Sequence, residues 1–253
     1  MTMTPEQAQA QSRARYAVSE AGAPYCAEHG YELTPADWAC PQCSEGERRE
    51  RELAYRSQQR VAEVDHWLAR CSGSVGGLGG LPGWSYPRFD NQRWLERCNP
   101  KIVTAGRRWD FLAWLWLGGP TGSGKSTVLV ARHYEAHAKL LAKAERGPVA
   151  LPPTPLYCTG CDLTEAEKLR RFDERHGLIH AVLSRPIAII DEITRAPVDL
   201  VFEIVDARAR AGLTTVACAG ASARDFGAAF GANVLRRFYD SGQVIDCFGG
   251  GTR

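Results

Sequence analysis

The stretch LWLGGPTGSGKST, Leu115 to Thr127, decides the fold: an apolar run breaks into glycines and closes on Gly-Lys-Ser-Thr. Gly119, Pro120, Thr121, Gly122, Ser123, Gly124, Lys125 and Ser126 fit G-x-x-x-x-G-K-[ST], and the apolar strand before them and helical run after them supply the context that this phosphate loop requires. Glycines let the backbone turn tightly with its N–H groups inward, and the N-terminal end of the following helix adds partial positive charge. Lys125 is expected to reach the β- and γ-phosphates of ATP, the Ser126 hydroxyl to ligate Mg²⁺, and Thr127 to complete the ATP-binding set. Such a loop does not by itself name the reaction, because kinases, GTPases and motor ATPases share it.

The second motif is PIAIIDEI. Ile187 to Ile190 read as a buried strand that carries Asp191 to its carboxyl end, beside the Mg²⁺. Glu192 follows directly and is placed to orient and deprotonate a water, which favours hydrolysis over transfer to a small molecule. Around these two motifs strand-like runs (FLAWLWLGG, PTPLYCTG, PIAIIDE, TTVACAG, GQVIDCF) alternate with helical ones at Lys125 to Ala144, Thr164 to Leu183 and Pro197 to Ala211. That alternation predicts an α/β fold, a parallel sheet with helices on both faces.

Upstream, YCAEHGYELTPADWACPQC gives Cys26-x2-His29-x10-Cys40-x2-Cys43, the spacing of a closed tetrahedral Zn²⁺ site that leaves no position open for catalysis. With so little apolar sequence around it, such a module depends on the metal for its fold. Residues 1–25 read as a flexible tail, residues 26–71 as the zinc module and a linking helix with a solvated first half and apolar Val61, Val64 and Leu68 in its second, residues 72–83 as a Gly/Ser-rich linker, and 84–253 as the ATPase domain. The other cysteines read as ordinary buried or half-exposed thiols.

Composition sets outer limits. With 253 residues, 44% of them hydrophobic and 24% charged, and no apolar run long enough to span a bilayer, membrane insertion is not expected. The N-terminal stretch lacks the apolar core of a secretory signal, so the expected compartment is the cytoplasm. A net charge of +2 implies that any nucleic-acid binding is local or assisted, and nine cysteines, an odd number in a reducing compartment, argue against a disulfide framework.

The order of these features resembles the DnaC-type helicase loaders, P-loop AAA+ (ASCE) ATPases of bacteria and phages, and the related IstB-type transposition ATPases. The Cys/His opening is similar to loaders with an N-terminal zinc module, GLPGWSYPRFDN to the segment leading into their ATPase domain, and FEIVDARARAGLTTVACAGAS to their helix with Asp-Ala-Arg and the strand after it. The resemblance implies an AAA+ sheet without the helical lid, a hexameric replicative helicase as partner of the N-terminal domain, single-stranded DNA as the second partner, and self-assembly on either. It also implies that Arg237 is an arginine finger, with Arg236 its rival, and that Arg253 is a second sensor touching the nucleotide. One departure stands out: Cys218-Ala219-Gly220 replaces the polar first sensor, with Ser222 as a substitute only if the strand runs two residues further. An IstB-like ATPase on duplex DNA and a nucleotide-sensing adaptor with little turnover are the alternatives.

Overall fold

The computed structural model describes residues 16–18, 24–31, 33, 40–71, 96–170 and 177–248. The Gly/Ser-rich 72–83 stretch, the Gly80–Asn91 segment and Arg253 lie outside them.

The chain divides into two units, 1–59 and 60–253. In the first, β1 (Tyr16–Val18) and β2 (Pro24–Cys26) pair antiparallel, with Tyr16 opposite Cys26. The sequence suggests a flexible tail here because three-residue strands pair through backbone bonds and need no apolar period. Helix α1 (Pro41–Cys71) starts on Pro41, whose missing N–H costs nothing in a first turn. Its exposed first half is laced by i,i+4 pairs of Arg49 with Glu45, Arg51 with Glu47 and Arg56 with Glu52.

The division falls inside α1, earlier than the linker that composition singles out. The reason is burial: from Arg60 on, the helix belongs to the second unit's core, with Val64, Trp67 and Cys71 fully buried. Arg60 Nε donates to the Ala144 carbonyl at 2.8 Å and Trp67 Nε1 to that of Pro152 at 2.8 Å. Burying a large apolar side chain contributes about 1.5–3 kcal/mol, so these positions fix the helix end firmly.

The second unit is a five-stranded sheet in the order β4-β5-β6-β3-β7, parallel throughout. Its strands are β3 (Trp114–Gly118), β4 (Leu156–Thr159), β5 (Ile187–Asp191), β6 (Thr214–Ala219) and β7 (Gly242–Asp246). Both faces are covered, as the apolar runs require. Leu115, Leu117, Ile187, Ile189, Val216 and Cys218 pack with α1, α2 (Pro100–Arg108) and α3 (Lys125–Ala144). The alternate residues Trp114, Trp116, Ala188, Ile190, Ala217 and Ala219 pack with α4 (Gly160–Arg170), α5 (Gly177–Ser184), α6 (Val198–Arg210), α7 (Ala223–Phe230) and α8 (Ala232–Ser241). This is the expected parallel sheet with helices on both faces, with β6 between the phosphate-loop strand and the acidic strand.

Arg208 on α6 is fully buried, without a carboxylate partner among the described residues. Its guanidinium donates to Thr215 Oγ1 at 3.0 Å, to the Arg185 carbonyl at 2.9 Å, and to the carbonyls of Val182 and Thr214, and burial lowers its pKa to about 10. One side chain thereby ties the end of α5 to the starts of β5 and β6.

Candidate functional site

In parallel α/β sheets ligands bind beyond the carboxyl ends of the strands. Here β3 ends at Gly118, β5 at Asp191 and β6 at Ala219, and the loops that follow enclose a cleft of about 360 Å³. Thr121, Gly122, Gly124, Lys125, Ser126, Thr127, Asp191, Glu192 and Gly220 line it, so the expected phosphate loop and acidic pair converge on one place. Gly122 (φ +82°) and Gly124 (φ +92°) take the left-handed backbone that turns the loop inward. Gly124 must also lack a side chain for space, because a Cβ there would lie 2.3 Å from Cys98 Sγ. Gly124 N-caps α3, so that helix's first turn points its free N–H groups at the cleft.

Lys125 Nζ rests on the loop itself, donating to the Gly119 carbonyl at 2.7 Å and the Pro120 carbonyl at 3.0 Å. Ser126 Oγ donates to Asp191 Oδ2, and Tyr157 Oη donates to the same oxygen at 2.7 Å. Burial, with the Asp191 charge beside it, pushes the Tyr157 phenol far above its ordinary range and keeps it a donor. Two hard oxygen donors in contact beside a phosphate loop are the ligand chemistry of Mg²⁺.

Glu192 has a left-handed backbone (φ 48°), and its N–H donates to Asp191 Oδ1 at 2.9 Å. Its carboxylate pairs with Arg195 Nε at 3.1 Å. Gly160 allows this turn, since a Cβ there would come within 2.3 Å of the Glu192 carbonyl oxygen.

Register fixes where β6 ends. β6 stops at Ala219, paired with Gly118, so Gly220 is the first residue past the strand. Ser222 is not a substitute: it N-caps α7, accepting from the Asp225 N–H at 3.1 Å and donating to Asp225 Oδ2 at 2.7 Å. A Cβ on Gly220 would meet nothing within 4 Å, so the cleft has open space where a polar side chain is expected.

Arg237 does not line its own chain's cleft. It projects from α8 and pairs with Asp206 Oδ1 at 2.9 Å, while Asp206 Oδ2 holds Arg210 at 3.0 Å. Arg236 pairs with Asp240 at 3.3 Å. Both arginines line a separate groove with Phe202 and Asn233.

In the first unit Cys26, His29, Cys40 and Cys43 bring their four ligand atoms within 4.8 Å of one another. Cys26 Sγ is 3.6 Å from Cys43 Sγ and 3.6 Å from His29 Nδ1, Cys40 Sγ is 3.9 Å from His29 Nδ1, and Cys43 Sγ is 3.4 Å from it. Tetrahedral Zn²⁺ bond lengths set S···S near about 3.8 Å and S···N near about 3.6 Å, so the cluster fits such an ion. The three thiols are buried. Burial, followed by Cys26 and Cys40 beside it, pushes Cys43 up to about 12. At Cys26 burial also raises the thiol, but hydrogen bonds from His29 outweigh it and bring the thiol down to about 6. Were the three thiols to ionise together, a cation among them would have to offset their charge.

Sequence reasoning missed Tyr157, Arg195 and the turn at 96–98, whose Arg97 and Cys98 also line the cleft. Tyr157 sits in a recognisable strand, but nothing in that strand marks its cross-strand reach to Asp191.

No protein-family model matches the chain, and no curated protein sequence is similar to it. Among solved structures it is similar to a DnaC helicase loader (15% identity, 60% of this chain and 97% of that one, TM-score 0.43). A DnaI structure is similar at 16% identity over 59% of this chain and 79% of that one, with a TM-score of 0.41. An AMPPCP-bound DnaA from Aquifex aeolicus is similar at 14% identity over 57% and 43%, with a TM-score of 0.40.

Proposed function

We propose that the chain binds Mg·ATP in this cleft, hydrolyses it slowly as a single subunit, and uses the nucleotide state to place a hexameric replicative helicase on single-stranded DNA. The convergence of Lys125, Ser126, Asp191 and Glu192 on one glycine-lined cleft carries the nucleotide part. Lys125 exchanges its loop carbonyls for the β- and γ-phosphates. Ser126 and Asp191 would hold Mg²⁺, whose charge offsets that of the phosphate oxygens. Glu192, on leaving Arg195, orients and deprotonates the attacking water. Arg237 serves a neighbouring subunit, consistent with its place outside its own cleft. The loader part rests on the order of sequence motifs, with Zn²⁺ on the four Cys/His ligands keeping the helicase-binding module folded.

A second reading, a nucleotide-sensing adaptor with little turnover, draws support from the open space at Gly220 and the capping role of Ser222. Steady-state hydrolysis with single-stranded DNA and helicase separates the two. Arg237→Ala protein keeps an intact pocket and Lys125→Ala protein an intact finger, so neither alone should respond to DNA, while a mixture should recover part of the activity. Fingers supplied in trans contribute on the order of 10³–10⁵-fold, which leaves ample signal. Wild-type protein without turnover under any condition would make the adaptor the better reading; stimulation by duplex DNA and a transposase, but not by helicase, would make it IstB-like.

A further inference from the structure

Four charged side chains line the nucleotide cleft: Arg97, Lys125, Asp191 and Glu192. Three have partners already. Lys125 sits on loop carbonyls, Asp191 accepts from Ser126 and Tyr157, and Glu192 is paired with Arg195. Arg97 alone, exposed in the turn at 96–98, has neither an ion pair nor a hydrogen bond among the described residues.

Its backbone is nevertheless pinned to the phosphate loop from both following residues. Cys98 packs its sulfur into the space that Gly124 leaves empty, and the Asn99 N–H donates to the Ser123 carbonyl at 3.0 Å. Asn99 then caps α2 by accepting from the Lys101 N–H at 2.9 Å, which fixes where the turn ends. A solvated surface arginine needs no such anchoring. A cation held at the rim of an anion-binding loop, with no carboxylate paired to it among the described residues, has a polyphosphate as its natural counter-charge.

Resting on the nucleotide reading proposed above, we infer that Arg97 is a second phosphate-binding cation of the cleft, acting on the α- and β-phosphates. The position along the ligand follows from its neighbours. Cys98 touches Gly124 at the start of α3, whose first turn serves the phosphates shared by ATP and ADP, whereas Glu192 and Gly220 mark the side where the γ-phosphate is attacked. Arg97 therefore contributes to binding of both nucleotides and not to discrimination between them.

The test is calorimetric titration of the full-length chain with Mg·ATP, Mg·ADP and inorganic tripolyphosphate, comparing wild type with Arg97→Ala and Arg97→Lys, and Lys125→Ala as a reference. Arg97→Ala should weaken all three ligands by about tenfold, the scale of one charge-assisted contact at an exposed rim. Arg97→Lys should keep most of the affinity, and the gap between wild type and Arg97→Ala should close as salt is raised, which a merely structural defect would not do. Unchanged affinities in Arg97→Ala overturn the inference. So does a loss for ATP and ADP that spares tripolyphosphate, which would move the contact to the base or ribose, and so does a loss for ATP alone, which would move it to the γ-phosphate. If wild type binds none of the three, the nucleotide reading itself fails, a result distinct from all of these.

Discussion

His133, on α3 of the second unit, gives the sharpest quantitative test of how that unit is held together. It is fully buried, stacked on Trp67 with ring centroids 6.2 Å apart, 5.9 Å from Trp109 and 4.9 Å from Phe111. Nδ1–H donates to the Leu129 carbonyl at 2.7 Å, and Nε2 has no partner among the described residues, so a proton there would be charged and unsolvated. Burial, with Arg132 adding to it, pushes the pKa down to about 4 from an ordinary 6.5. Between those values the unfolded chain takes a proton that the folded chain refuses. Stability is therefore kept above about pH 6.5 and lost as pH falls towards 4. At about 1.36 kcal/mol per unit the full loss is about 3 kcal/mol, of which about 2 kcal/mol falls between pH 7 and pH 5. Urea unfolding followed by tryptophan fluorescence at both pH values, for wild type and His133→Phe, isolates this share, since other titrating groups, the Cys/His cluster included, act equally in both proteins. His133→Phe should lose about 2 kcal/mol less than wild type on acidification. Equal losses would refute the claim that His133 is held neutral by its aromatic surroundings.

Three further predictions concern the cleft and the cluster. Glu192→Gln should retain Mg·ATP while hydrolysis falls by about 10²-fold or more, whereas Asp191→Asn should weaken Mg²⁺-dependent binding itself; equilibrium titration beside single-turnover kinetics distinguishes them, and identical behaviour would argue against the division of roles. Gly220→Asn places a polar group in space that is free, so the protein should fold normally and turn over faster, by about tenfold if a water-positioning side chain is what the cleft lacks; an unchanged rate in a steady-state assay removes that explanation. Cys43→Ser should release the metal and unfold the 26–43 region without moving the main melting transition, because the division between units falls at Gln59, beyond the cluster; metal analysis and a thermal melt check it, and a wild type purified without chelators that holds no zinc would refute it.

The parallel sheet was legible because its strands are short continuous apolar runs, each ending where glycines or acids begin, and because the phosphate loop needs only local geometry. β3, α3, β5, α6 and β6 lie where those signals put them. Less local features escaped. Two helices, α7 and α8, meet at Gly231, whose φ of +94° breaks the helical path between them. The apolar stripe on the end of α1 is visible as Val61, Val64 and Leu68, but only the fold reveals that its partner is the core under the sheet, with Trp67 in it. Of the candidate site, the loop and acidic pair could be read directly. Tyr157, Arg97 and Arg195 could not, because each acts through a turn or across strands that sequence spacing does not encode.

Asp206 and Arg208 stand two apart on α6 and meet opposite demands. Arg208 is sunk among carbonyls and cannot leave without stranding several of them, which makes α6 a stationary post. Asp206, on the same post, offers Arg237 a half-exposed resting place whose ion pair is worth only about 0–1 kcal/mol. Arg237 is thus parked and not locked. Thermal motion suffices to free it, and a stronger negative charge brought alongside would draw it away without disturbing the helix that held it.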